Sequence, residues 1–266
     1  MKNTKKYIGY QSTDFALPYA KFYDEIIRPI PTLVEKAIKK SSKNGLQLEN
    51  VRDMHNKGYL DLENGYLLNN DGSIHVAVLT PMPNVSPEIW DWWFGWHSCE
   101  DSRYKLWHPK AHQSVVWADG RDEVAYVNRT SIIEEYIGKK LEKAAIQFKS
   151  PLEFGFSDSQ IADKAKVVYV CARVGYVDYP LDFGWLVHQI RKTDGGAEMR
   201  SRFWMGGKFI AIRSDNFLGK IVSKVLQKIV KLPEQQAKDL MTHCSEEMNH
   251  LAAILPDLYN EFNQNN

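Results

Sequence analysis

Lys166-Val167-Val168-Tyr169-Val170-Cys171-Ala172-Arg173-Val174, Asp182-Phe183-Gly184-Trp185-Leu186-Val187-His188-Gln189-Ile190 and Ser201-Arg202-Phe203-Trp204-Met205-Gly206 are three runs of strand composition. No helical pattern stands between them, and parallel strands would need a crossover helix, so the order favours an antiparallel sheet. Upstream, Ser114-Val115-Val116-Trp117 and Glu123-Val124-Ala125-Tyr126-Val127 have the same composition. So do Gly65-Tyr66-Leu67-Leu68 and Ile74-His75-Val76-Ala77-Val78-Leu79, joined by the turn residues Asn69-Asn70-Asp71-Gly72. Downstream, Pro233-Glu234-Gln235-Gln236 opens a long helical pattern that runs to Pro256. Its apolar stripe is Ala237, Leu240, Met241, Met248, Leu251 and Ala252. The expected architecture is α+β, a curved antiparallel sheet gripped by one long C-terminal helix.

Before the strands, Leu33, Ala37 and Ile38 sit at helical spacing after Pro29-Ile30-Pro31-Thr32. Val85-Ser86-Pro87-Glu88 reads as a helix start, with Ser86 as cap and Pro87 at the first helical position. It leads into the aromatic block Ile89-Trp90-Asp91-Trp92-Trp93-Phe94-Gly95-Trp96-His97. Aromatic residues make up 12% of the 266-residue chain, enough to fill a core and also to line a pocket for a flat ligand. The net charge of +1 and the lack of a basic stripe argue against a nucleic acid partner. Cys99, Cys171 and Cys244 form no CxxC pair, which suits a reducing cytoplasm. The basic start Met1-Lys2-Asn3-Thr4-Lys5-Lys6 has no apolar run behind it, and no run is long enough to span a bilayer. The expectation is therefore a soluble cytoplasmic protein without a membrane partner.

Three segments carry chemistry. His243 and Glu247 lie four apart on one helix face with half-buried neighbours, and a buried imidazole and carboxylate need a cation or full pairing. His250 is almost in line with them. In Arg103-Tyr104-Lys105-Leu106-Trp107-His108-Pro109-Lys110-Ala111-His112, Pro109 breaks any continuous helix, so His108 and His112 need not point the same way. Either one is a candidate ligand. Ser131-Ile132-Ile133-Glu134-Glu135-Tyr136-Ile137-Gly138 reads as a short helix continuing to Leu141 and Ala145. On that helix Glu134 shares a face with Ile137 and Leu141, which makes it the carboxylate that turns inward. No serine-nucleophile elbow, phosphate loop, Rossmann glycine pattern or HExxH motif occurs.

Taken together, the Trp90–His97 block, the Arg103–His112 run, Glu134-Glu135-Tyr136-Ile137-Gly138 and His243-xxx-Glu247 resemble the diacetylphloroglucinol hydrolase family, which includes phloretin hydrolase-like enzymes. The resemblance implies a helix-grip fold of the Bet v 1 type. It also implies hydrolysis of the carbon–carbon bond between an acyl group and a phenolic ring, with a small phenolic ketone as partner. Carried over residue by residue, it makes His112, Glu134, His243 and Glu247 the ligands of one zinc ion per chain, with Glu135 as the alternative to Glu134. It makes Tyr104 and His188 pocket groups able to protonate the departing ring carbon. Phe203 stands where the family places a further tyrosine. Trp96 and Trp204, with Phe203, are the candidate walls for a flat ring. Residues 1–85 are expected as an N-terminal arm and small subdomain, and residues 86–266 as the metal-binding helix-grip domain, with a homodimer as the candidate assembly. Two other readings remain open: a helix-grip module that binds small hydrophobic or phenolic ligands without transforming them, and a structural zinc site in an interaction protein.

Overall fold

The computed structural model describes residues 9–24, 26–214 and 216–263. The basic start (residues 1–6) and the closing residues 264–266 lie outside the described residues. In chain order the helices are α1 (Thr32–Ala37), α2 (Pro87–Trp96), α3 (Asp101–Trp107), α4 (Asp158–Ile161), α5 (Phe217–Ile229), α6 (Glu234–Ala252) and α7 (Leu255–Phe262). The strands are β1 (Gly65–Leu68), β2 (Ile74–Pro83), β3 (His112–Trp117), β4 (Thr130–Ile137), β5 (Lys140–Lys149), β6 (Val167–Tyr176), β7 (Leu181–Thr193), β8 (Gly196–Met205) and β9 (Ala211–Ile212).

All strands join one antiparallel sheet in the order β1-β2-β8-β7-β6-β5-β4-β3, with β9 on β7. The helix-grip arrangement expected from the sequence is present: the curved sheet holds α6, whose Ala237, Met241, Cys244, Met248 and Leu251 are fully buried against it. Strand β6 shows why the central runs are almost continuously apolar. Val168, Val170, Ala172 and Val174 enter the inner core with α6, while Tyr169 and Cys171 enter a second cluster on the outer face. A strand covered on both faces has no polar side to show.

The outer face is covered by residues 46–63. Val51 and Met54 pack there with Tyr169, Val187 and Trp204. Glu63 pairs with the buried Arg200 and Arg202 guanidinium groups at 2.5 Å each. Charges removed from water need such partners. Strands β1 and β2 lie on the N-terminal side of the division expected at residue 85. Yet β2 pairs with β8 from Ile74↔Met205 to Pro83↔Gly196 in the common sheet.

Two local readings are corrected. The segment read as a helix over residues 131–145 is the β4–β5 hairpin, with Ile137 opposite Lys140 and a two-residue loop, Gly138-Lys139. Gly138 takes φ 61°, a left-handed conformation that glycine adopts without a Cβ penalty, and this turn reverses the chain. The run Glu123-Val124-Ala125-Tyr126-Val127 is loop. Arg129 Nη1 donates to the carbonyls of Glu123 (2.6 Å) and Ala125 (2.8 Å), so these groups are satisfied without a neighbouring strand.

Candidate active site

The site forms where β3, β4 and α6 meet. Along β3, Trp117 and Val115 face inward opposite Ser131 and Ile133 of β4. Strict alternation would then bring Gln113 inward and turn His112 out. A bulge between His112 and Ser114 breaks the alternation and sets His112 opposite Glu135, on the inner face. His112 Nδ1–H donates to the Tyr104 carbonyl at 3.0 Å, which leaves the Nε2 lone pair directed into the site. From α6, His243 and Glu247 present the i, i+4 pair read from sequence, and both are buried. From β4 comes Glu135.

His112, His243 and Glu247 offer ligand atoms within 4.8 Å of one another. Their closest approaches are more telling. His112 Nε2 lies 3.4 Å from His243 Nε2, 3.3 Å from Glu135 Oε2 and 3.4 Å from Glu247 Oε2. His243 Nε2 lies 3.5 Å from Glu135 Oε2 and 3.6 Å from Glu247 Oε2. For bonds of about 2.0–2.1 Å, the ligand atoms of a tetrahedral ion stand about 3.3–3.4 Å apart. These five edges are close to that spacing.

Electrostatics point the same way. Burial alone would raise the Glu135 carboxyl, but attraction to His243 and the hydrogen bond to His112 outweigh it and hold the group well below the ordinary carboxylate range. For Glu247 burial prevails over the same imidazoles, and its carboxyl is raised. Burial works to lower His112 too, but Glu135 and Glu247 overcome it and raise the imidazole to about 9. His243 is raised against burial by the same carboxylates. Protons on the two imidazoles and a divalent cation would compete for the same carboxylates. The donor set and its spacing fit a metal ion.

Glu134, the carboxylate favoured by the helical reading, is not in this cluster. On a strand adjacent residues face opposite ways, and Glu134 turns outward with its Oε1 3.9 Å from Lys143 Nζ. Glu135, the alternative, is the residue the structure brings to the histidines. His108 stacks on the far side of His243, with ring centroids 5.1 Å apart, and meets Glu246 at 3.3 Å. His250 interacts with Asp24, Arg28 and the Ile26 backbone and is not among the grouped ligand residues.

The cluster opens onto an apolar cavity in two adjoining parts of about 90 Å³ each. Glu135, Ile146, Leu186, Phe203 and Leu240 border both parts, and His188, Tyr104 and His97 border the part nearer the cluster. Tyr104 stacks on His112 at 3.9 Å, and its hydroxyl donates to Glu135 Oε2 at 2.5 Å. Burial and the Glu135 charge raise its pKa well above 10, so it stays a donor. His188 Nδ1 lies 2.8 Å from Ser201 Oγ, and burial pushes this imidazole down to about 3.

Of the expected walls, Phe203 lines the cavity. Trp204, its neighbour on β8, faces the outer cluster and donates from Nε1 to the Leu46 carbonyl at 2.7 Å. Trp96 stacks on Trp92 at 5.0 Å and borders neither part of the cavity. Alternation along β8 and the helical turn of α2 account for both. His97 was missed as a site residue. It is one turn past Trp93, whose carbonyl accepts from its Nδ1–H at 2.7 Å, and that i, i+4 spacing in the aromatic block was the available signal.

The family model described as "DAPG hydrolase PhiG domain" matches residues 46–260. The chain belongs to the diacetylphloroglucinol hydrolase family. It is 30% identical to the phloretin hydrolase of Eubacterium ramulus, over 96% of this chain and 93% of that protein. It is 27% identical to a 2,4-diacetylphloroglucinol hydrolase of a Pseudomonas species, over 92% of this chain and 88% of that protein. Among solved structures it is similar to Ara h 8.0201, at 11% identity and a TM-score of 0.43, over 70% of this chain and 99% of that one. The diacetylphloroglucinol hydrolase match spans the whole cluster and the cavity residues named above, from His97 to Glu247.

Proposed function

We propose that this chain is a zinc-dependent hydrolase that cleaves the carbon–carbon bond between an acyl group and a phloroglucinol-type ring, releasing a carboxylic acid. One observation carries the reading: His112 and His243 converge with Glu247 and Glu135, each imidazole 3.3–3.6 Å from both carboxylates, and open onto an apolar cavity that also presents the neutral imidazole of His188. The relatives' names, 2,4-diacetylphloroglucinol hydrolase and phloretin hydrolase, support the same substrate class. Zinc is favoured because two imidazoles with carboxylate oxygens are a donor set that suits it.

The overall reaction adds one water to an aryl ketone and yields the deacylated ring and a carboxylic acid. When bound, the ion supplies Lewis acidity, polarising the acyl carbonyl and making water a nucleophile near neutral pH. The rest falls to the chain. Because burial keeps His188 neutral, it cannot bring its own proton to the ring. With Nδ1–H donating to Ser201 Oγ, its Nε2 accepts the proton of a ring hydroxyl and returns it to the ring carbon bearing the acyl group. The ring is then a vinylogous diketone. After water adds to the acyl carbonyl, the carbon–carbon bond breaks and its electron pair returns to the ring as the hydroxyl re-forms. Tyr104 holds Glu135 in place through its hydroxyl. Phe203, Leu186 and Ile146 give the ring apolar contact and keep water from its faces.

The test is to incubate the purified protein with 2,4-diacetylphloroglucinol before and after chelation, then with zinc restored, and to follow acetate release. Acetate that disappears on chelation and returns with zinc is the expected result. Binding without acid release would establish the ligand-binding module instead, and full activity without metal would remove the ion from the mechanism.

A further inference from the structure

Helix α5 (Phe217–Ile229) is amphipathic in the inverted sense. The face it turns to the body is small or polar: Gly219 and Ser223 are buried, Ser223 Oγ accepts from Ile212 N at 2.8 Å, and Gln227 Nε2 donates to the Ile210 carbonyl at 2.7 Å. These residues recur every four positions, so they form one stripe. The apolar side chains point outward. Phe217 is 80% exposed, Leu218 and Ile229 67% each, and Ile221, Val222 and Val225 continue the same arc. A globular protein normally does the reverse, and an apolar helix face of this kind marks a surface that something covers.

Charge decides what covers it. Lys220, Lys224 and Lys228 run along the edge of the apolar arc, and Lys231 extends the row just past the helix. The helix contains no acidic residue, and among the described residues these lysines make no ion pair. A second copy of the same helix would set lysine against lysine with no carboxylate between. An anionic lipid surface meets both halves, since acyl chains take the apolar arc and headgroups take the snorkelling ammonium groups. We propose that α5 docks this protein on anionic membranes as an interfacial helix lying in the headgroup plane. The sequence expectation of no membrane partner rested on the lack of a spanning run. No helix among the described residues can cross a bilayer, and surface docking requires none.

The position of α5 gives the docking a use. The helix packs on β9, which pairs with β7 at Leu181 and Asp182, and the next residue, Phe183, lines the cavity. Through Val230–Pro233 α5 leads into α6, whose Gln236 and Leu240 line the same part. Apolar molecules dissolved in the bilayer would therefore meet the protein close to this cavity. The docking does not depend on the reaction proposed above.

Vesicle flotation tests it, with phosphatidylcholine alone against phosphatidylcholine containing phosphatidylglycerol. The expected result is binding to the anionic vesicles only, reversed by high salt. The triple variant Lys220→Gln/Lys224→Gln/Lys228→Gln should bind about 100-fold more weakly, and Leu218→Ser/Ile229→Ser should also be released. Neither variant touches the metal cluster, so metal content and unfolding midpoint should match the parent and show that both fold. No binding by the parent, or equal binding by parent and variants, overturns the proposal. So does self-association by sedimentation that Leu218→Ser/Ile229→Ser abolishes, which would assign the face to a second copy.

Discussion

Exchanging Glu135 for glutamine, with Glu134→Gln as its partner experiment, separates the strand reading of residues 130–137 from the helical one. Glu135 Oε2 stands 3.3 Å from His112 Nε2 and 3.5 Å from His243 Nε2. Structural zinc sites bind with about 10–16 kcal/mol, so one charged ligand of four contributes about 3 kcal/mol or more. That corresponds to a dissociation constant about 100-fold higher. The glutamine also keeps the size of the side chain while removing the charge that Tyr104 donates to. Glu134 points away from the cluster, and Glu134→Gln should change stability by no more than about 0.5 kcal/mol and leave affinity unchanged. Elemental analysis of protein purified without added metal, followed by titration of the metal-free form with zinc, measures both. Equal loss of metal in the two variants, or a larger loss in Glu134→Gln, would refute the assignment.

Glu247→Gln should lower metal occupancy sharply while His250→Ala changes it little, because only the former reaches the cluster; equal losses in elemental analysis would make His250 a ligand. His188→Ala should keep its metal, yet lose about 100-fold or more in turnover of an acylphloroglucinol, the scale of a lost proton-transfer group; unchanged turnover would leave His188 a purely structural residue. His75, His97 and His188 are each pushed by burial from 6.5 to about 3. The unfolded chain therefore binds more protons than the folded one between those values, and stability should fall as pH drops below about 6.5, by up to about 1.4 kcal/mol per group and pH unit. His108, pushed to about 4, and His250, also lowered, add to the same slope. Urea unfolding at successive pH values reads it, and His75→Phe, on the outer face and away from His112 and His243, should flatten it by about a fifth, while an unaltered slope would mean that His75 is not held neutral.

The sequence disclosed the parts of the site that obey a local period. His243 and Glu247 share a helix face whose apolar flanks could be counted, and the three central strands could be read from their β-branched and aromatic residues. Glu135 could not be found that way. Glu134, Ile137 and Leu141 recur at helical spacing, and the decision for a hairpin is made by Gly138 and by pairing with β3 and β6, which are tertiary facts. His112 was open against His108 for a related reason, since an irregularity in β3 decides its direction. Trp204 was placed in the pocket because strand composition gives no face label when both faces are buried. Helix α5 was not read at all: the helical period is there, but its apolar face is not the one that packs.

The bulge at Gln113 makes the parity of a residue along β3 a variable that one amino acid can flip. Deleting Gln113 would restore an even count between His112 and Trp117 and keep the imidazole opposite Glu135, whereas straightening β3 at its present length would pair Gln113 with Glu135 and turn the imidazole to the solvent side. The direction of His112 is therefore set by the winding of the strand as well as by side-chain identity. A β3 straightened at its present length would keep the cavity walls from Val115 to Trp117 and withdraw one imidazole from the cluster, so that the pocket and its ligating groups part company.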